Sequence, residues 1–366
     1  MGKILIINTV PTEKNGITNV IFNYLSATEE KGGIFDYVSL NDPDEVYKAG
    51  IKRVGGTIYV LNRSSKGILS YLKSLNNIIK ANTYDIVHIH GNSHTVVLEL
   101  IAAKNAGCRV RIVHAHSTRC NSLVVHRILT PLFNYLCTHR IACGKDAGSF
   151  MFGRKPFTVM NNGIVTRKYA FKPQSRKEIK EKLGWVDCNI IGHVGYFMAL
   201  KNQSFIVDVF ESIYKQNPDY RVILIGDGPM REEIQNKLDS KGLSKMACLT
   251  GNIDNVNDYL NAIDVIVMPS LFEGVPLTLI EQQANGLPCV VADTITKEAD
   301  KTGNLRFLSL KAPVEEWAQA VISEDGISRE ERSKKAIEDI TKAGYSIEEE
   351  ARTLVKYYQE LLTNKG

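Results

Sequence analysis

Short apolar runs alternate with longer amphipathic stretches along most of the chain. "KILIINT" precedes the helical pattern "ITNVIFNYLSATEE", and "YDIVHIHG" precedes "SHTVVLELIAAKNAG". The apolar runs are continuous rather than alternating, which is typical of strands that are buried on both faces of a parallel sheet covered by helices. The pattern therefore predicts an α/β fold built from βαβ units.

A polar, charge-rich segment at residues 166–187 interrupts this alternation, which restarts at "CNIIGHVGY". We predict two Rossmann-like, doubly wound parallel-sheet domains that face a cleft, residues 1–170 and 171–345. The final stretch "SIEEEARTLVKYYQELL" predicts an amphipathic helix with an acidic first turn, which the helix dipole favours.

Composition narrows the class of protein. A chain of 366 residues suits two domains, and no apolar run reaches the roughly 18 to 20 residues of a membrane-spanning helix. The first residues lack the apolar core of a signal peptide, and the seven cysteines form no CxxC pair. We therefore expect a cytoplasmic protein without a disulfide framework or a cysteine zinc site.

Charge is distributed unevenly between the two halves. Residues 1–170 carry 21 Lys and Arg against 10 Asp and Glu, whereas the remainder carries 24 against 30. The asymmetry indicates a polyanionic partner for the first half, with solvated surface charge as the alternative. No nucleic-acid-binding motif is present, so we do not expect nucleic acid as the partner. We expect an anionic membrane surface instead. The apolar stretch from Val124 to Leu136 could enter the headgroup region, although we expect most of its side chains in the core.

Several candidate ligand-binding residues follow predicted strands, where parallel sheets bind ligands. The chain has neither a GxGxxG fingerprint nor a GxxxxGK[ST] loop, which argues against NAD-dependent enzymes and P-loop NTPases. His88, His90 and His114 occupy alternate positions within predicted strands. We interpret them as core or sheet-end histidines with satisfied hydrogen bonds rather than as catalytic residues. No HExxH or Asp-x-Asp motif accompanies them, so no metal is expected. Asp227 is interpreted as a turn residue that stabilises its own loop.

Two glutamates, Glu273 and Glu281, lie on either side of "GVPLTLI". A helix is predicted to begin near Pro276 or Leu277, and its free amide groups suit a diphosphate. The carboxylates would repel phosphate, but they can accept hydrogen bonds from neutral hydroxyls. Glu273 could bind a sugar and Glu281 a ribose, and a nucleotide-sugar contains both. Alternatively, they are solvated acids near the start of a helix.

The stretch "DVIVMPSLFEGVPLTLIEQQANGLPCVVAD" closely resembles the E-x7-E region of retaining glycosyltransferases of family 4. The resemblance continues in family order through "DIVHIHGNSH", "RIVHAHS", "VMNNGI", "LIGDGPMREEIQNKL" and "LTGNIDNVNDYLNAIDV". It implies the GT-B fold, with residues 346–366 returning to the first domain as a helix. The chain is most similar to transferases that build bacterial capsular or exopolysaccharide repeat units.

The resemblance also implies residue roles. His116 would contact the donor sugar, Lys201 would neutralise the diphosphate and assist its departure, and Glu273 would hold the sugar hydroxyls. The other predicted substrate contacts are Asn15, Gly16, Gly226, Gly228, Gly251, Asn252, Gly274, Val275, Leu277 and Glu281.

Two positions depart from the family pattern. Tyr196 stands where the family usually has arginine, and Val165 replaces the aspartate of "NGID". The first departure removes one cationic contact to the diphosphate. Candidates to supply that contact are Arg119, Lys145, Arg154 and Lys155.

The leading hypothesis is a metal-independent retaining glycosyltransferase that needs no cofactor. It would move a hexose or N-acetylhexosamine from a nucleotide-sugar, UDP-linked, to a hydroxyl of a lipid-linked glycan by front-face attack. We expect it on the cytoplasmic face of the cell membrane as a peripheral protein. The alternatives are a UDP-sugar 2-epimerase of the same fold and a catalytically silent binding subunit.

Overall fold

The structure is a computed structural model that describes residues 2–29, 33–63, 67–323 and 326–363. The chain divides into two compact units. The first unit comprises Met1–Gly163 and Gly344–Gly366, and the second comprises Ile164–Ala343. The sequence prediction placed the boundaries after residues 170 and 345. The earlier division arises because Tyr169 belongs to the second unit, where its hydroxyl donates to Glu281 (2.7 Å) and its carbonyl accepts from Asn285 (2.8 Å).

Within its described residues, the first unit contains a parallel sheet of seven strands in the order β3-β2-β1-β4-β5-β6-β7. Its strands are β1 (Lys3–Asn8), β2 (Ile34–Ser39), β3 (Ile58–Val60), β4 (Ile86–His90), β5 (Val110–Ala115), β6 (His139–Ala142) and β7 (Thr158–Val159). Its helices up to residue 152 are α1 (Gly16–Thr28), α2 (Glu45–Arg53), α3 (Ile68–Asn82), α4 (Val97–Asn105), α5 (Leu123–Leu136) and α6 (Lys145–Phe152). Ile4 to Ile7 are all buried, as the continuous apolar run predicts.

The described part of the second unit contains a parallel sheet of six strands in the order β10-β9-β8-β11-β12-β13. Its strands are β8 (Asn189–Val194), β9 (Tyr220–Ile225), β10 (Ala247–Gly251), β11 (Val265–Met268), β12 (Cys289–Ala292) and β13 (Leu305–Leu308). Its helices are α7 (Pro173–Leu183), α8 (Gln203–Gln216), α9 (Arg231–Ser240), α10 (Val256–Ala262), α11 (Leu277–Ala284), α12 (Val314–Ile322) and α13 (Arg329–Lys342). The predicted architecture of two parallel Rossmann-like sheets is confirmed.

The last helix, α14 (Ile347–Thr363), packs in the first unit, as the family resemblance implied. It lies against α1, and Tyr358 reaches the sheet, where its hydroxyl meets Nδ1 of His88 at 2.5 Å. Glu350 accepts a hydrogen bond from the amide of Asn161 at 3.0 Å. The helix therefore completes the layer over one face of the first sheet although it comes from the far end of the chain.

Helix α5 differs from the sequence expectation. We expected most apolar side chains between Val124 and Leu136 in the core, but Val124, Ile128 and Tyr135 are 67%, 70% and 70% exposed. These residues recur at helical spacing on one side of α5, while Phe133 faces the core. An amphipathic helix needs only one apolar stripe for packing, and α5 is apolar on a second side as well. None of the described helices combines the length and apolar character that crossing a membrane requires.

Candidate active site

The second sheet reverses its strand order between β8 and β11, which pair in parallel. Loops on either side of such a reversal diverge, and the space that they leave at the carboxyl ends of the strands is where ligands bind in open α/β sheets. Lys201 follows β8 and Glu273 follows β11. Two of the predicted catalytic residues thus come from the two loops at this switch point.

Hydrogen bonds between these loops hold Lys201 near Glu273. The amide of Leu271 donates to the carbonyl of Leu200 at 2.8 Å, and the side chain of Asn202 donates to the carbonyl of Pro269 at 3.2 Å. Asn202 has a φ of 55°, a left-handed conformation that ends the short 3-10 turn Ala199–Lys201. The ammonium of Lys201 and the carboxylate of Glu273 form an ion pair, with side chains 17% and 16% exposed.

Sequence reasoning gave Lys201 and Glu273 separate ligands and did not predict their pairing. A charged pair this poorly solvated is sensitive to any third charge that approaches it. A diphosphate would compete with Glu273 for Lys201. The structure therefore couples the two residues directly.

Helix α11 begins at Leu277 with Pro276 as its N-cap, so the predicted start is confirmed. Proline suits the start of a helix because its missing amide group has no partner there in any case. The preceding Gly274 faces open space, since a Cβ added there would meet no atom within 4 Å. Backbone amide groups at the helix start are suited to an anion. Gly274, Val275 and Leu277 stay predicted contacts of the donor.

Glu281 lies in the second turn of α11 and is partly buried. Its Oε1 accepts a hydrogen bond from the hydroxyl of Tyr169 at 2.7 Å. Burial raises the pKa of the Glu281 carboxyl to about 7, while Tyr169 and Lys168 oppose this rise. Sequence reasoning missed Tyr169, which lies in the polar segment interpreted as an interruption between domains. No local pattern marks it, because its partner is 112 positions away.

Gly226 and Gly228 support the loop after β8. A Cβ on Gly226 would come within 2.1 Å of the carbonyl oxygen of Gly195, and one on Gly228 within 2.4 Å of that of Phe197. The amide of Phe197 in turn donates to the carbonyl of Asp227 at 2.9 Å. These glycines therefore permit close contact between two backbones, beside whatever role they have toward a ligand.

Asp227 lies in the turn after β9, between the two glycines, and Gly251 is the last residue of β10. The carboxylate of Asp227 accepts from the amide of Gly228 at 2.9 Å, which fits the interpretation of Asp227 as a turn residue. Gly251 has a φ of +68°, and its carbonyl accepts from the amide of Gly226 at 3.1 Å. Asn252 follows directly. The predicted contacts Gly226, Gly228 and Gly251 are thus brought together at the ends of β9 and β10.

Tyr196, which stands where the family usually has arginine, is 58% exposed. Its carbonyl accepts a hydrogen bond from the side chain of Gln203 at 3.0 Å, so the backbone at this position is held. The side chain itself is solvated, and a longer cationic side chain would have room there.

In the first unit, Asn15 and Gly16 begin α1. The side chain of Asn15 caps this helix, accepting from the amide of Thr18 at 2.9 Å and donating to the carbonyl of Pro11 at 2.9 Å. These bonds give Asn15 a structural role whether or not it also meets a ligand. Gly16 faces open space, since an added Cβ would meet nothing within 4 Å.

His116 follows β5, and two hydrogen bonds fix its position. Its amide donates to Oδ1 of Asn92 at 3.0 Å, and its Nε2 lies 2.9 Å from Nδ1 of His90. Burial lowers the pKa of His116 to about 3, with Asn162 opposing this effect. His116 is therefore a neutral imidazole at physiological pH. Its predicted contact with a donor sugar stays a prediction.

His88, His90 and His114 correct an expectation. They are buried in the sheet as predicted, but they are not satisfied. Nε2 of His88, Nε2 of His90 and both ring nitrogens of His114 are buried without a hydrogen-bond partner among the described residues. The reason is their crowding on neighbouring strands, where the rings stack on one another and turn few nitrogens toward polar groups.

Two family models match the chain. "Glycosyltransferase Family 4" matches residues 14–168, and "Glycosyl transferases group 1" matches residues 188–323. A protein of Bacillus subtilis (strain 168) that is named as the glycosyltransferase EpsF is 30% identical to this chain over 364 residues. That alignment covers 94% of this chain and 93% of EpsF.

A second relative and a solved structure are also similar to the chain. The UDP-Gal:alpha-D-GlcNAc-diphosphoundecaprenol alpha-1,3-galactosyltransferase of Escherichia coli is 32% identical over 239 residues, which covers 61% of each chain. The crystal structure of Anabaena Alr3699/HepE in complex with UDP matches with a TM-score of 0.81 and 16% identity, covering 98% of this chain and 100% of that one. At that identity the likeness concerns the fold. Together with the EpsF alignment, these matches establish that the chain belongs to the family 4 glycosyltransferases, which have the GT-B fold.

Proposed function

We propose that the chain is a retaining glycosyltransferase that moves a hexose or N-acetylhexosamine from a UDP-sugar to a hydroxyl of a lipid-linked glycan, without a divalent metal. The observation that carries the proposal is the ion pair of Lys201 and Glu273 beside the start of α11, with Glu281 farther along the same helix. A cation, free helix amides and two carboxylates suit the diphosphate and the two sets of hydroxyls of a nucleotide-sugar.

The diphosphate would bind Lys201 and the amide groups at the start of α11. Its negative charge would draw the ammonium away from Glu273, which then accepts hydrogen bonds from hydroxyls of the transferred sugar. Binding of the donor would thus prepare both residues in one step. Lys201 would also stabilise the charge that develops on the departing UDP, which is the role that a metal ion has in other transferases.

Ribose would bind Glu281, with the base near Gly251 and Asn252. His116 would contact the donor sugar as a neutral imidazole. In the transfer step the bond between the anomeric carbon and the β-phosphate oxygen breaks, and the acceptor oxygen bonds to that carbon on the same face. The acceptor proton passes to the departing phosphate oxygen, so the configuration is retained without a protein nucleophile.

The relatives support the choice of donor and acceptor. The Escherichia coli relative is named for transfer from UDP-Gal to a GlcNAc-diphosphoundecaprenol, and HepE was crystallised with UDP and with UDP-glucose. We accordingly propose UDP as the nucleotide and a polyprenyl-diphosphate glycan, in exopolysaccharide or capsule synthesis, as the acceptor.

A lipid-linked acceptor calls for contact with a membrane surface, and α5 offers one. Val124, Ile128 and Tyr135 form an exposed apolar stripe, and Arg127 is exposed beside it. The ammonium of Lys104 lies 3.7 Å from the centre of the Tyr135 ring. Apolar side chains flanked by basic ones are typical of helices that lie in the interface of an anionic leaflet. We propose peripheral attachment to the cytoplasmic leaflet through α5.

A thermal-shift screen tests donor binding. UDP and UDP-sugars should raise the melting temperature with EDTA present, since a ligand that binds the folded state stabilises it by mass action. NAD is the control and should have no effect. Loss of the UDP shift in EDTA, with recovery on adding Mg²⁺, would contradict the metal-independent part.

Product analysis tests the reaction. Incubation with a UDP-sugar and a polyprenyl-diphosphate glycan should release UDP and lengthen the acceptor, with an α-linkage from an α-linked donor. An epimerised sugar in place of a lengthened acceptor would identify a UDP-sugar 2-epimerase. UDP binding without any turnover of UDP-Gal, UDP-glucose or UDP-GlcNAc would favour a silent binding subunit, for which Tyr196 offers a reason.

A further inference from the structure

Three histidines of the first unit converge inside its sheet. His88 and His90 lie two residues apart on β4 and so share one face, and His90 pairs in register with His114 on β5. They are 1%, 3% and 1% exposed. One ring nitrogen from each lies within 4.8 Å of the ring nitrogens contributed by the other two. Three buried imidazoles are thus close neighbours within one sheet.

In two of the three rings a hydrogen bond occupies one nitrogen. Nδ1 of His88 meets the hydroxyl of Tyr358 at 2.5 Å, and Nδ1 of His90 meets Nε2 of His116 at 2.9 Å. When each Nδ1 carries the proton and donates it, the lone pair of each Nε2 is free. The described residues offer no partner to either Nε2, nor to either ring nitrogen of His114.

Leaving buried nitrogen atoms unpaired is costly, at roughly 1 to 3 kcal/mol for each group. Packing alone does not require them, since phenylalanine would fill much the same space. An imidazole binds a metal ion through the lone pair of a nitrogen that carries no proton. The unpaired nitrogens therefore have the chemistry of ligands.

We propose that Nε2 of His88, Nε2 of His90 and one ring nitrogen of His114 bind a Zn²⁺ ion. Three imidazoles are a known ligand set for zinc, and Tyr358 and His116 would supply the outer hydrogen bonds that orient two of them. Zinc–nitrogen bonds of about 2.0 to 2.1 Å put tetrahedral ligands roughly 3.4 Å apart. Reaching that spacing would require the rings to approach one another and to rotate, because an imidazole lone pair lies in the ring plane and the His88 ring is stacked on those of His90 and His114.

The site would join β4 and β5 to the C-terminal helix, because Tyr358 belongs to α14. It lies entirely in the first unit, while Lys201, Glu273 and Glu281 belong to the second. Zinc binding and metal-independent UDP binding are therefore separate properties, since His116, which hydrogen-bonds to His90, is assigned to the transferred sugar and not to UDP. Either can fail in experiment without affecting the other.

Titration of the metal-free full-length protein with Co²⁺ tests the site, since tetrahedral Co²⁺ absorbs strongly in the visible range. One equivalent should bind, and Zn²⁺ should displace it. Tyr358→Phe removes only a hydroxyl and should weaken metal affinity by about 10- to 100-fold. His114→Phe should abolish binding. His139→Gln changes another histidine of the first unit, outside the cluster, and should bind like the wild type.

Circular dichroism checks that each variant is folded. Should His114→Phe fail to fold, NMR of the wild type labelled with ¹⁵N-histidine replaces it, and Zn²⁺ should shift the ring nitrogens of three histidines. No binding by the wild type would overturn the proposal. Equal binding by Tyr358→Phe and the wild type, or loss of binding in His139→Gln, would assign the metal to an adventitious surface site and also overturn it. UDP titration of the metal-free protein runs in parallel as the test of the donor site.

Discussion

At the residue scale, the chemistry of the second unit depends on how charges are paired. Lys201 and Glu273 neutralise each other, whereas Glu281 has a neutral hydrogen-bond donor, Tyr169, as its partner. The two glutamates are therefore in different electrostatic states despite their similar positions around α11. Substituting them should have different consequences.

Glu281→Ala should weaken UDP binding by about 1 to 3 kcal/mol, because a carboxylate that accepts hydrogen bonds from ribose is lost. Glu273→Ala should not weaken UDP, since its proposed ligand is the sugar and its removal leaves Lys201 free for the diphosphate. It should instead lower turnover. Calorimetry with UDP and initial rates with a UDP-sugar measure both. A similar loss of UDP affinity in the two variants would contradict the division of roles.

The raised pKa of Glu281 predicts a pH dependence of UDP binding. The carboxyl is partly protonated near neutral pH because its pKa is about 7. Ribose hydroxyls bind the ionised form better, so binding releases a proton and affinity rises with pH, by up to tenfold per unit below pH 7. Above pH 8 it should level off. Calorimetry from pH 6 to 9 measures this dependence. Glu281→Gln should remove the contribution of the protein to it and keep the contribution from the titration of UDP itself.

Tyr196→Arg should tighten UDP binding by about 0.5 to 1 kcal/mol, the range of a solvated ion pair. The exposed tyrosine side chain leaves room for a guanidinium group near the loop that carries Lys201. Tyr196→Phe is the matched control, since it removes only the hydroxyl. If Tyr196→Phe weakens UDP and Tyr196→Arg does not strengthen it, the hydroxyl already contacts the diphosphate.

At the element scale, α5 and α11 differ in how many of their side chains they bury. Helix α11 buries most of its residues and contributes its first turn and Glu281 to the candidate site. Helix α5 buries one side and exposes apolar residues on another. Helix α11 is therefore held by packing within its own unit, whereas α5 has an apolar surface that stays exposed. The proposed membrane attachment would explain such a stripe, because large exposed apolar patches are typical of interaction surfaces.

Val124→Glu combined with Ile128→Glu should reduce co-sedimentation with anionic vesicles at least tenfold at low salt. The substitutions place two carboxylates on the stripe, where they oppose both apolar burial and attraction to anionic lipid. Leu69→Glu on α3 is the control, because Leu69 is an exposed leucine of the same unit, at 82%. Neutral vesicles and high salt should lower binding of the wild type. Equal losses in the α5 and Leu69 variants would contradict a role for α5.

At the scale of the whole molecule, the two compact units are not two successive halves of the chain. The first unit includes the C-terminal helix, while the second is continuous from Ile164 to Ala343. Buried residues of α14 such as Leu354 and Tyr358 thus belong to the core of the first unit. A change near the C-terminus should therefore act on the stability of the N-terminal sheet.

Leu354→Ala should destabilise the first unit by about 2 to 5 kcal/mol, as large-to-small core substitutions do. In calorimetric unfolding it should lower the same transition as Leu100→Ala, which lies in the core of that unit. Leu260→Ala, in the core of the second unit, should lower the transition that UDP raises. If Leu354→Ala shifts the UDP-stabilised transition instead, α14 is coupled to the second unit.

The amino-acid sequence by itself determined the two parallel sheets and the start of α11. Continuous apolar runs such as Ile4–Ile7 specify strands buried on both faces, and Pro276 marks a helix start by its missing amide group. These signals are local, and each is complete within a few residues. The order of the motifs indicated the family, and the resemblance to that family implied which residues form the site.

Only the tertiary structure decided which of these residues meet. Lys201 pairs with Glu273 across 72 positions, Tyr169 with Glu281 across 112, and His88 with Tyr358 across 270. Periodicity reports which side of an element is buried, but not which element covers it. The exposed stripe of α5 and the unpaired histidines of β4 and β5 could not be predicted for the same reason. Burial and hydrogen bonding are properties of packed neighbours, and the chain brings those neighbours together from distant positions.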